Sequence, residues 1–140
     1  MSVKRVGGQL AAIVVLIAVG VSLVAAQQPA NQTASEFYTQ YRAAFDKAKK
    51  IEELIPYMSK SMKADIEKTP ASERPGMFEM IKEMSKMSNL KIVKETKEPD
   101  GVMLSVVADG PDRGKMTGQI KIVKEDGAWK MAKESWSSKG

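Results

Sequence analysis

The sequence contains neither cysteine nor histidine among its 140 residues. Without cysteine there is no disulfide framework, no thiolate metal centre, no thiol nucleophile and no lipidated side chain; without histidine there is no imidazole metal site and no triad that runs through an imidazole base. No metal or cofactor is therefore expected. Aromatic residues are sparse at 6%. Charge of one sign is not concentrated either: the net charge is +5, and lysines alternate with glutamates in runs such as Lys91, Lys94, Glu95, Lys97 and Glu98. Such a surface is solvated rather than built for phosphates, so nucleic acid is not an expected partner. There is no internal repeat.

One long hydrophobic run is present, at the N-terminus. Lys4 and Arg5 precede an apolar stretch over residues 10–26, softened only by Gly20 and Ser22, and Val24, Ala25 and Ala26 stand before Gln27. A basic region, an apolar core and a small-residue exit predict a secretory signal over residues 1–26 that is removed in the mature chain. The alternative is an uncleaved anchor over residues 10–26, which sit at the lower edge of bilayer-spanning length. The protein is thus expected in the periplasm or outside the cell, or held at the membrane facing away from the cytoplasm; membrane contact is expected only if the leader is retained. An exported chain without cysteines must hold its fold by packing alone. The remaining length is enough to bury roughly two-thirds of its unfolded surface.

Residues 27–32, with Pro29, read as a flexible leader, residues 33–137 as one domain and 138–140 as a tail. Thr33 and Glu36 have the spacing of a capping box. Behind them Phe37, Tyr41, Ala44, Phe45 and Ala48 recur at steps of three and four, the stripe of a helix ending near Lys49 and Lys50. Ile51, Leu54 and Ile55 add a helical turn before Pro56, and Met58, Met62 and Ile66 continue at steps of four. A loop is expected over residues 69–75 and a third helix over residues 75–88, with Met77, Phe78, Ile81, Met84 and Met87 on its apolar side. From Asn89 the period falls to two. Strands are predicted over residues 90–97, 102–109, 116–125 and 128–136, joined by Pro99-Asp100-Gly101, by Gly110 to Gly114 and by the hairpin pair Asp126-Gly127. The sum is an α+β domain, three N-terminal helices packed on a curved four-stranded antiparallel sheet and preceded by the apolar signal helix.

A regular ladder from the Asp126-Gly127 turn pairs Lys124 with Trp129, Ile122 with Met131 and Ile120 with Lys133. That face points at the helices, which puts Lys133 on the apolar side and sends Glu134 and Trp136 to the opposite side. On the first hairpin, Leu90, Ile92, Met103 and Val107 are expected to make the outer face apolar too, either as an interface for a second copy or as a strongly curved surface partly covered by the third helix or a loop.

The ending Gly127-Ala128-Trp129-Lys130-Met131, through Lys133, Glu134 and Trp136, follows a lysine-rich strand and a helical N-terminal half. It resembles the C-terminal hairpin of nuclear transport factor 2-like domains, in particular the small exported bacterial members. The resemblance covers residues 33–136 in element order and the last strand in motif. It implies a cone, with helices wrapped by a bent sheet and a pocket at the wide end. Enzymatic relatives place an Asp or His base with a tyrosine or acid donor in that cone; here histidine is absent and no aspartate is aimed at a pocket, so no catalytic residue is assigned.

The leading expectation is a noncatalytic exported domain that binds a small apolar ligand or a protein partner in the cell envelope, and that forms a homodimer through its sheet. The ligand pocket is expected from Tyr41, Tyr57, Met58, Trp129, Met131 and Lys133, which combine an apolar wall with a few polar tips. The rival is an isomerase- or hydrolase-type enzyme with Tyr41 or Tyr57 as donor, Lys133 as an electrostatic group and Glu134 as base. A minor alternative is a Cu(I) site from the thioethers of Met58, Met62, Met77, Met80, Met84 and Met87, for which core filling is the simpler explanation.

Overall fold

The structure, a computed structural model, describes residues 28–138. The expected secretory leader over residues 1–26 lies outside the described residues. Residues 28–31 belong to a separate unit and form no regular element; among the described residues, the helices and strands lie in the unit that begins at Gln32. Among the described residues no helix is long and apolar enough to cross a membrane.

Helix α1, Ala34–Lys47, starts with the expected capping box: the Thr33 hydroxyl accepts from the Glu36 N–H at 3.1 Å, and the Glu36 carboxylate accepts from the Thr33 N–H at 3.0 Å. Two of the free N–H groups of the first turn are satisfied in this way. One face of α1 buries Phe37, Tyr38, Tyr41 and Phe45. The next segment differs from the expected α-turn. Ile51–Tyr57 is a 3₁₀ helix that runs through Pro56 instead of stopping before it. Three residues per turn bring Ile51 and Leu54 to the same buried edge. The Glu53 carboxylate closes the start of this segment, accepting from the N–H groups of Lys49 and Lys50. Those two bonds hold its pKa below the usual carboxylate value.

Helix α2, Lys60–Glu67, is capped by the Ser59 hydroxyl, and none of its own residues is fully buried. Helix α3, Arg74–Met84, has Pro75 in its first turn and buries only Phe78. It ends before the expected Ser88, because strand β1 begins there.

The sheet comprises β1 (Ser88–Glu98), β2 (Gly101–Gly110), β3 (Gly114–Glu125) and β4 (Ala128–Ser138), antiparallel in the order β1-β2-β3-β4. The α+β class and the four-strand meander therefore stand. Asp126 and Gly127 both have positive φ, 53° and 80°, the signature of the type I′ turn that matches strand twist. The helices cover the face formed by Val102, Leu104 and Val106 of β2 and Ile120 and Ile122 of β3. Leu104, Val106, Ile120 and Ile122 are 0% exposed; each contributes roughly 1.5–3 kcal/mol by burial.

Two strands are not regular. In β4 the ladder pairs Ile122 with Met131 and Lys121 with Lys133, leaving Ala132 as an extra residue. This bulge overturns the regular register: Ile120 faces Glu134, not Lys133, and Gly118 faces Trp136. Every residue beyond Ala132 changes side. In β1, shifts flank Leu90 and Ile92, so that Ile92 pairs with the buried Val106 and both side chains pack against the core. Met103 and Val107 lie on the other face, so these four residues do not share one surface.

Candidate functional site

Between the helices and the lower part of the sheet lies a cavity of about 360 Å³, lined mainly by apolar side chains. Tyr41 and Phe45 come from α1, Ile51 and Leu54 from the 3₁₀ helix, Met62 and Ile66 from α2, and Ile81 and Met84 from α3. The sheet contributes Met116, Glu134 and Trp136, and the β2–β3 connection contributes Arg113.

The bulge decides the chemistry of this wall. Turned inward, Glu134 accepts at a single oxygen, Oε2, from the Tyr38 hydroxyl at 2.8 Å and from the Trp136 indole N–H at 3.0 Å. Arg42 approaches the same oxygen at 3.6 Å, and the two charged side chains are only 11% and 15% exposed. A carboxylate withdrawn from water to this degree is held by such donors; removing its cation costs about 3–5 kcal/mol by leaving a buried charge uncompensated. Arg42 also stacks on the Phe45 ring, its guanidinium carbon 4.9 Å from the centroid. Trp136 lies flat over Gly118, where a Cβ would sit 2.9 Å from three indole atoms. Glycine is required there by close approach rather than by backbone angle.

The rim is tied by arginines. Arg113 donates to the Met84 carbonyl at 2.6 Å and Arg42 to the Ser85 carbonyl at 3.3 Å, satisfying carbonyls that the end of α3 leaves open. On the outer side of β4, Ser59 N–H donates to the Met131 carbonyl at 2.8 Å, which docks the start of α2 beside the bulge.

Burial is the main cause that pushes the Tyr38 and Tyr41 hydroxyls well above the ordinary tyrosine range, followed by the nearby Glu134 charge; Arg42 partly offsets both. Neither phenol is a proton donor or acceptor by ionisation near neutral pH. They act as neutral hydrogen-bonding groups.

Of the residues expected at the pocket, Tyr41 and Met58 line the cavity. Tyr57 packs its ring against Phe37 and Tyr41, and Met131 is 0% exposed in the core. Trp129 lies away from the cavity wall: its N–H donates to the Gln32 carbonyl and its face carries the Lys124 ammonium at 4.7 Å. Lys133 is exposed. The thioethers of Met58, Met62, Met84 and Met116 gather around the cavity, whereas Met80 is 62% exposed. Among the described residues no group of three or more acidic side chains is placed to hold a metal ion.

A second depression, beside Asn89, Leu90, Lys91, Asp109 and Lys115, is polar at its rim. There Lys115 pairs with Asp109 at 2.8 Å, and Asn89 donates to the same carboxylate at 2.8 Å. The apolar cavity with its inward carboxylate is the better candidate.

Among the polar and aromatic contributors to the site, the sequence does not place Arg42 or Arg113 there, and its regular register sends Glu134 and Trp136 outward. The signal for Trp136 is a change of parity. Trp129 and Met131 are odd-numbered and Trp136 even, while the inward positions of β3 stay even throughout. No family model, curated protein or solved structure matches the chain.

Proposed function

We propose that the chain works as an exported, noncatalytic domain of the nuclear transport factor 2-like type, holding a small apolar ligand in the cell envelope. The apolar cavity under the sheet carries this reading. Its volume falls in the range of small-molecule sites, and its wall combines apolar side chains with few polar groups. Four flexible methionines on that wall suit a pliable site that adapts to ligand shape. The ionisable groups on the wall are Tyr41, Arg113 and Glu134; Arg113 is tied to a backbone carbonyl and one Glu134 oxygen is taken up by Tyr38, Trp136 and Arg42. That arrangement supports binding over acid-base turnover, which needs a second group poised to exchange a proton.

The test is titration with a neutral apolar fluorophore such as N-phenylnaphthylamine. Saturable binding to one site is expected, and Met62→Trp, which fills the cavity from α2, abolishes it. Binding that does not saturate, or that Met62→Trp leaves unchanged, overturns the reading.

One observation favours a second reading, an isomerase-type enzyme: the bulge brings Glu134 and Tyr41 to the same cavity. Glu134 would then serve as base and Tyr41 as hydrogen-bond donor. Exchange of α-protons of a cyclic ketone with deuterated water, lost in Glu134→Gln, would support it; absence of exchange with a ketone that binds would dismiss it.

A further inference from the structure

Two polar atoms on the cavity wall have no partner among the described residues. Tyr41 is 4% exposed, yet its hydroxyl takes part in no hydrogen bond with them. The donors to Glu134 all converge on Oε2, and Oε1 accepts from none of the described residues. Neither atom is sealed from solvent, so water can meet both, and a ligand that displaces that water without replacing its bonds leaves them unpaired and is rejected. The two atoms differ in kind. A carboxylate oxygen only accepts, whereas a phenol that keeps its proton both donates and accepts.

Resting on the cavity reading above, we infer that the ligand is a neutral apolar molecule bearing a hydroxyl group, which donates to Glu134 Oε1 and accepts from the Tyr41 hydroxyl. A hydrocarbon leaves both atoms unpaired. A carboxylate brings a negative charge against Glu134 in a site poorly screened by water. An ammonium can donate to Glu134 but cannot accept from Tyr41, and it meets a carboxylate already paired with Arg42 in a cavity that also carries Arg113. Of these four chemistries only the hydroxyl group satisfies both atoms without adding charge.

The test uses four probes with the same chain: decanol, decane, decanoate and decylammonium, each displacing the neutral fluorophore from the purified protein near neutral pH. Decanol is expected to bind about tenfold or more tighter than each of the others, the scale of one to two hydrogen bonds left unmade. Tyr41→Phe, which keeps the ring in place, lowers decanol affinity about fivefold and leaves decane unchanged. Glu134→Gln, checked for folding by circular dichroism, narrows the gap between decanol and decanoate because the repelling charge is gone. If decane, decanoate or decylammonium binds as tightly as decanol, or if Tyr41→Phe leaves decanol unchanged, the hydroxyl assignment falls while the cavity reading stands. If none of the four displaces the fluorophore, both fall.

Discussion

Replacing Gly118 by alanine places a methyl carbon 2.9 Å from atoms Cδ2, Cε2 and Cε3 of the Trp136 indole. Ordinary carbon contacts lie at about 3.5–4.0 Å, so the ring must withdraw by roughly 0.6–1 Å. Overpacking of this kind costs about 1–3 kcal/mol. Withdrawal also stretches the 3.0 Å bond from the indole N–H to Glu134 Oε2; a bond to a charged group contributes about 1.5–3 kcal/mol. Strain and bond loss are alternatives more than addends, since a ring that moves relieves one and forfeits the other. Against them stands the roughly 0.5–1 kcal/mol gained by replacing glycine within a strand. The net expectation is a loss of about 1–2 kcal/mol, or roughly 0.5–1 M in the urea midpoint for a domain of this size. Gly76, in the first turns of α3, is the control: a Cβ there meets nothing within 4 Å. Gly76→Ala is expected to stabilise by about 0.5–1 kcal/mol. Urea unfolding followed by far-ultraviolet circular dichroism and by tryptophan emission reads both. A Gly118→Ala protein as stable as the parent, with unchanged emission, would refute the placement of Trp136 over Gly118.

Deleting Ala132 removes the extra residue and leaves Met131 opposite Ile122 and Lys133 opposite Lys121; Glu134 and Trp136 stay inward and fluorophore binding persists, whereas in a strand without the bulge both residues start outside the cavity and this deletion would turn them into it and change the binding. Glu134→Ala strands Arg42 and the Tyr38 hydroxyl in a site that is mostly dry, for a loss of about 3 kcal/mol in chemical unfolding; Glu134→Gln costs less. At high pH, the tyrosine pKa values raised above their ordinary 10.0 mean that the folded state keeps protons the unfolded chain releases, so stability is full below pH 10 and falls as pH rises beyond it. Tyr38→Phe flattens that alkaline slope, and a slope unchanged by it would contradict the account. At low pH the sign reverses for Glu36, whose pKa lies below 4.5 because of its bonds with Thr33: its stabilisation is present above that value and lost on acidification, and Glu36→Gln reduces the acid sensitivity.

Much of the fold is legible in the sequence because its determinants are local. The Thr33 and Glu36 capping box, the Asp126-Gly127 turn and the change of period at Asn89 each act within a few residues, and together they specify the element order. The site is less legible, since it depends on one residue. Ala132 carries no mark of a bulge: it is neither glycine nor proline, and a strand that absorbs it differs from a regular one only in the parity of the residues C-terminal to it. The clues lie apart, in Trp136 being even-numbered where Trp129 and Met131 are odd, and in Gly118 leaving room opposite. The same holds for β1, where bulging turns Leu90 and Ile92 inward. The 3₁₀ helix escaped for a related reason: a proline that ends an α-helix is compatible with a tighter turn.

The claim on which the site rests is that β4 changes face at Ala132. Cross-strand nuclear Overhauser contacts between β3 and β4 test it most directly. The account predicts Gly118 opposite Trp136 and Ile120 opposite Glu134; contacts of Gly118 with Ser135 and of Ile120 with Lys133 would contradict it and take Glu134 out of the cavity.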